Sequence, residues 1–148
     1  MDRRVTSRWL FDTSVYVAVL RDEAFAREFR PRYLRDIPHT HFSSVVAQEL
    51  LAGARTPRHE RQAGALYEPF ERARRIVTPS HRVWKEAGTL LAALARKQPR
   101  FRSKLARGFL NDVLIALSAR GIGAAVVTRN GEDFRLIQQF RTFGLDVI

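Results

Sequence analysis

Asp12, Glu49, Asp112 and Asp133 are the residues whose types and placement could do chemistry in this sequence. Asp12 follows the apolar run Trp9-Leu10-Phe11, and Asp133 follows the polar turn Thr128-Arg129-Asn130-Gly131. On helices, Glu49 shares a stripe with Val45, Val46 and Gly53, and Asp112 shares one with Ile115, Ala116 and Ala119, so both are aimed inward. A buried carboxylate needs a cation, a donor network or a proton. If the four meet, Coulomb repulsion opposes their joint ionisation, and a divalent cation resolves it. Hard oxygen ligands without cysteine or paired histidines point to Mg²⁺ or Mn²⁺ rather than zinc or copper. Thr13, Ser14 and Asn130 set small polar side chains beside the acids, suited to orienting a carboxylate or a water.

Each acid also has a purely structural use. Asp133 and Asn130 suit a helix cap. Asp12 suits a turn in which it accepts backbone donors. Glu49 and Asp112 can each pair with one of the many arginines. The coincidence of all four with a strongly basic chain weighs against these separate uses.

The elements that must position these residues follow from patterning. Trp9–Phe11 reads as a buried strand ending at or just before Asp12, and residues 15–20 as the start of a helix, although their β-branched content also suits a strand. Residues 22–35 form an amphipathic helix with Phe25, Phe29 and Leu34 inward, ended by Pro38. Thr40–Phe42 gives a second strand, with Ser43 or Ser44 capping a helix over 45–53. Thr56-Pro57 opens a helix with an apolar face of Ala63, Leu66, Tyr67, Phe70 and Ala73. After a brief strand at Ile76-Val77-Thr78, residues 80–97 form a helix burying Val83, Trp84, Ala87, Leu90, Leu91 and Leu94. A helix from Phe109, a Gly121-Ile122-Gly123 break, a strand over 124–128, a helix over 132–140 and a strand over 145–148 complete the chain. Strands alternating with helices predict an α/β sandwich whose parallel sheet is covered on both faces. In such sheets ligands gather beyond the carboxyl ends of the strands, which is where Asp12 and Asp133 fall.

Composition sets the class of partner. The 148 residues suit one domain over 1–148, large enough to fold without a metal or disulfide staple. With 26 Lys plus Arg against 15 Asp plus Glu, the net charge of +11 favours a polyanion, and the excess of arginine over lysine favours phosphate. The absence of cysteine excludes thiolate chemistry and is compatible with the reducing cytoplasm. No apolar run approaches the ~20 residues that span a bilayer, so a soluble intracellular protein is expected. The glutamates 60, 68, 71 and 86 read as surface charge, and His39, His41, His59 and His81 are scattered. No Ser/His/Asp order, P-loop or GxGxxG is present.

Taken as a set, Phe11-Asp12-Thr13-Ser14, Ser44-Val45-Val46-Ala47-Gln48-Glu49-Leu50, Asn111-Asp112-Val113-Leu114-Ile115-Ala116 and Thr128-Arg129-Asn130-Gly131-Glu132-Asp133-Phe134 resemble the PIN-domain nucleases, most of all the VapC-type toxins of toxin–antitoxin pairs. The resemblance implies a PIN-like α/β/α sandwich and Mg²⁺- or Mn²⁺-dependent cleavage of RNA. It also implies a cognate antitoxin that inhibits the enzyme, and a homodimer. By position, Asp12, Glu49, Asp112 and Asp133 match the family's catalytic, metal-binding acids, and Thr13, Ser14, Thr128 and Asn130 match its accessory polar positions. Arg96, Lys97, Arg100, Arg102, Lys104 and Arg107 are candidates for holding the RNA backbone, although the same segment also suits a solvated loop. Two other readings remain: a PIN-type nuclease of RNA processing without an antitoxin, and a catalytically silent RNA-binding module in which the acids are structural.

Overall fold

A computed structural model describes residues 8–101 and 108–148. Its frame is a five-stranded sheet of β1 (Arg8–Phe11), β2 (Thr40–Ser43), β3 (Ile76–Val77), β4 (Ala124–Thr128) and β5 (Gly144–Val147), in the order β3-β2-β1-β4-β5. All four pairings are parallel, as the helix-separated strands predict. The chain first builds outward from β1 to β2 and β3, then returns to the other side of β1 to place β4 and β5. That reversal makes the carboxyl ends of β1 and β4 a topological switch point, where the connecting segments diverge and leave a crevice.

Helices α1 (Thr13–Arg21), α2 (Glu23–Asp36), α3 (Ser44–Ala52), α4 (Pro57–Arg72), α5 (His81–Lys97), α6 (Phe109–Gly121) and α7 (Glu132–Gln138) flank the sheet. Local sequence fixes several of their starts. Ser43 Oγ accepts the N–H groups of Val45 and Val46, Thr56 Oγ1 accepts that of His59, and Ser80 Oγ accepts that of Val83. Ser43 rather than Ser44 is therefore the cap, and Ser44 is the first helical residue. Among the described residues no helix is long and apolar enough to cross a membrane.

The core is aromatic on the side of α1, α2 and α4. Phe11 meets Phe29 edge-on at 5.5 Å, and Tyr16 lies 4.8 Å from Phe42. On α6, residues 113–119 are all buried, so this helix passes through the interior rather than lying on it.

Three residues expected in the core are exposed. Leu34 is 57% exposed, because the inward stripe of α2 runs Phe25, Phe29, Tyr33 at four-residue spacing and Leu34 is one step past it. Trp84 is 51% exposed for the same reason, with the buried stripe of α5 running Ala87, Leu90 and Leu94. Ala73 lies outside, as the residue that closes α4. His39 belongs to a short 3-10 turn (Ile37–His39) rather than to the strand carrying His41.

Candidate active site

β1 delivers Asp12 to the switch point. Its backbone N–H donates to Val127 O at 2.8 Å, locking the end of β1 beside the end of β4. Asp12 occupies the N-cap position of α1, yet its carboxylate caps nothing and accepts no backbone donor there. It accepts hydroxyls instead: Ser14 Oγ and Thr128 Oγ1 each donate to Asp12 Oδ2 at 2.9 Å. The two hydroxyls stand 3.1 Å apart, forming a triangle with the carboxylate oxygen. Thr128 Oγ1 also accepts the N–H of Asn130 at 3.0 Å, and Ser14 Oγ accepts that of Arg129 at 3.0 Å. Thr128 and Ser14 thereby hold both the carboxylate and the turn that follows β4, while Asn130 takes part through its backbone.

Glu49 comes from the inward stripe of α3 and is half-buried. Thr13 Oγ1 donates to Glu49 Oε1 at 2.7 Å, so the first residue of α1 positions this second acid. Burial raises the Glu49 pKa and the Asp12 charge adds to the rise, against hydrogen bonds from Thr13 and Asn111 that favour the ionised form. Among the described residues, no arginine contributes to these interactions of Glu49 or Asp112.

Asp112 is the most perturbed acid. Its pKa is pushed up to about 8 by burial, then by the charges of Asp12, Asp133 and Glu49, and by a side-chain hydrogen bond with Asp133. A hydrogen bond between two carboxyl groups requires a proton on one of them, so the pair holds a proton when no cation is present. Asp133 lies in the first turn of α7, whose N-cap is Gly131 and which has no side-chain cap. Neither Asp133 nor Asn130 is the N-cap residue, and Asp133 stands instead in the first turn of the helix.

Asp12, at the end of β1, Glu49 of α3 and Asp133 of α7 therefore all act electrostatically on Asp112 of α6. Among the described residues no group of three or more His, Asp or Glu side chains is already arranged around a metal position. The donor chemistry nonetheless fits a hard divalent ion. It is all oxygen, with a carboxyl kept from ionising by burial and by its acidic neighbours, the state a cation would relieve.

Arg96 and Lys97 end α5, whose 17 residues span about 25 Å, and Lys97 Nζ lies 5.8 Å over the Phe140 ring. Arg100 is exposed in a 3-10 turn (Pro99–Phe101), and Arg102, Lys104 and Arg107 lie outside the described residues. Two residues at the site escaped sequence reasoning. Asn111 bonds Glu49, and its position directly before Asp112 was the available signal. Arg129 is tied by its backbone to Ser14.

Comparison with curated protein sequences finds no match. Solved structures are similar over nearly the whole chain. VapBC from Salmonella typhimurium, in a DNA-bound crystal structure, is 21% identical with a TM-score of 0.68, over 95% of this chain and 98% of that one. VapBC-1 from nontypeable Haemophilus influenzae is 19% identical with a TM-score of 0.65, over 94% and 96%. FitAcB from Neisseria gonorrhoeae is 19% identical with a TM-score of 0.60, over 93% and 96%. At these identities the likeness is one of fold. The sequence pattern of the PIN domain matches residues 9–139, from β1 past the end of α7, and this chain belongs to the PIN domain family.

Proposed function

We propose that this protein is a divalent-metal-dependent endoribonuclease, a VapC-like toxin held in check by a cognate antitoxin and acting as a homodimer in the cytoplasm. Hydrolysis of nucleic acid follows from its membership in the PIN family. The observation that carries the finer reading is Asp112, whose carboxyl is pushed up to about 8 by burial and by three other acids from three other elements. An antitoxin partner is supported by the likeness to VapBC and FitAcB, and an RNA substrate by the net charge of +11.

Asp12, Glu49, Asp112 and Asp133 would hold Mg²⁺ or Mn²⁺. When bound, such an ion lowers the pKa of a water and neutralises charge on a phosphodiester. Thr13 orients Glu49, while Ser14 and Thr128 orient Asp12 by donating to it. A cation held there would favour the ionised form of Asp112.

The test is cleavage of RNA by purified protein with Mg²⁺ or Mn²⁺, compared with Asp12→Asn and Asp112→Asn. Each substitution is expected to lower the rate by at least about 100-fold, beyond the loss that outer-shell changes produce. Undiminished cleavage by both variants would remove the acids from the mechanism. An adjacent small open reading frame encoding a DNA-binding protein distinguishes the toxin from a nuclease of RNA processing.

A further inference from the structure

We propose that Arg129 is a substrate-binding residue, a guanidinium braced on the Phe25 ring where it grips an RNA phosphate neighbouring the one that is cut. The proposal rests on the nuclease reading above and adds to it the cation that brings a polyanion to an acidic pocket.

Arg129 directly follows Thr128, and its backbone N–H donates to Ser14 Oγ, the same hydroxyl that donates to Asp12 Oδ2. Its main chain is thus one hydroxyl away from the carboxylate cluster. Its side chain is fixed from the other direction. Arg129 Cζ stands 4.4 Å from the centroid of the Phe25 ring, and Phe25 stacks on Phe29 at 5.4 Å with 11° between the planes. Phe29 in turn meets Phe11, the residue before Asp12. The arginine is therefore held in a closed circuit that begins and ends at Asp12, through hydroxyls on one side and rings on the other.

Several other arginines of the described residues have acceptors already. Arg32 bonds Asp36 and Asp146, Arg35 bonds Asp36, Arg75 bonds the carbonyls of Ile37 and Thr40, and Arg120 bonds that of Thr142. The exposed guanidinium of Arg129 has a ring beneath it and no carboxylate partner among the described residues. Stacking occupies the face of a guanidinium and leaves its N–H edge for an oxyanion, the geometry that suits bidentate phosphate binding. An arginine already braced also loses less side-chain freedom when it binds. The need is physical: four acids repel the strand they are to cut, and a fixed cation at their rim offsets that repulsion.

The experiment compares wild type with Arg129→Ala, Arg129→Lys, Phe25→Leu and, as a control for loss of one charge, Arg141→Ala. Arg141 follows α7 and lies by the start of β5, which pairs in parallel with the start of β4, at the end of the strands away from Arg129. Binding of a fluorescent single-stranded RNA of mixed sequence is measured in EDTA over a range of salt, and cleavage of the same RNA is measured with Mn²⁺. Arg129→Ala is expected to raise Kd and KM together by about tenfold, to leave kcat within about twofold, and to reduce the slope of log affinity against log salt by about 0.7. Phe25→Leu is expected to raise Kd by about threefold, with Arg129→Lys between wild type and the alanine variant. If Arg129→Ala melts early, Arg129→Lys and Phe25→Leu carry the comparison. Binding and salt slope equal to those of Arg141→Ala, or a loss confined to kcat, overturns the clamp and leaves the nuclease reading standing. Wild type that neither binds nor cuts RNA overturns both.

Discussion

Thr128 Oγ1 donates to Asp12 Oδ2 at 2.9 Å although the two residues are 116 positions apart. The parallel register of β1 on β4, with Phe11 opposite Val127, sets them side by side where both strands end. Thr128→Val keeps the shape of the side chain and removes its donor and acceptor. It is expected to cost about 1–3 kcal/mol, since Asp12 Oδ2 loses a hydroxyl and the Asn130 N–H loses its acceptor. It should also weaken Mn²⁺ binding by about 10–100-fold in calorimetry, whereas Thr128→Ser retains most of both. Valine and wild type with equal melting temperature and equal affinity would refute the orienting role.

Asp112 makes stability depend on pH in a direction opposite to that of a salt-bridged acid. Its carboxyl, ordinarily near 3.8, is held at about 8 in the folded chain, so the native state keeps a proton that the unfolded chain has released. Stability therefore falls as pH rises from 3.8 towards about 8 and levels off above, by at most about 1.4 kcal/mol per pH unit. The raised pKa of Glu49 acts in the same sense. In EDTA, the melting temperature should decline between about pH 5 and about pH 8, and Asp112→Asn should flatten most of that decline. Mn²⁺, which favours the ionised form, should stabilise the protein more as pH rises through the same interval. A melting temperature that climbs with pH in EDTA would contradict the assignment.

Two glycines are fixed by close approach rather than by backbone angle. A Cβ at Gly144 would lie 2.9 Å from Ala125 Cβ and 3.2 Å from Ala125 Cα, where β5 runs against the backbone of β4. A Cβ at Gly131 would lie 2.5 Å from Val147 Cγ2, on a branched side chain stiff at χ1. Each alanine substitution is expected to destabilise by about 1–3 kcal/mol in urea unfolding. Gly131→Ala should lower cleavage further than its stability loss explains, because α7 carries Asp133. Gly144→Ala should lower stability alone.

Tyr16 is buried against the aromatic core, and its hydroxyl has no hydrogen-bond partner among the described residues. Burial pushes the phenol well above its usual range, so it stays neutral. Tyr16→Phe removes an unmatched polar atom and keeps the ring contacts with Phe11 and Phe42. The variant is expected to be as stable as wild type or up to about 1 kcal/mol more stable. A loss of more than that on chemical unfolding would mean the hydroxyl is engaged.

How much of this was legible in the sequence depends on the distance over which each cause acts. The strands, the parallel sheet, the starts of α3 and α4, and the inward aim of Glu49 and Asp112 are short-range consequences of apolar period and capping residues. The exposure of Leu34 and Trp84 was not legible, because a stripe read from sequence is ambiguous by one position and only packing chooses the edge. Asp36 is buried against Arg32 and Arg35, and those arginines one and four residues before it were the available signal. The hydroxyl triangle at Asp12 and the seat of Arg129 on Phe25 join residues more than 100 positions apart, and no local pattern encodes which partner each finds. Identical residue types elsewhere, such as Arg75 over Phe70, serve the core instead.

The strand order also governs how the chain is made. β1 ends up in the middle of the sheet, yet it precedes its partner on one side, β4, by more than 100 residues of chain. Throughout that interval an apolar strand has one row of amide and carbonyl groups open, a template for mispairing with other nascent chains. The same delay leaves the cluster of acids unfinished, because Thr128 and Asp133 arrive with the stretch that closes the gap.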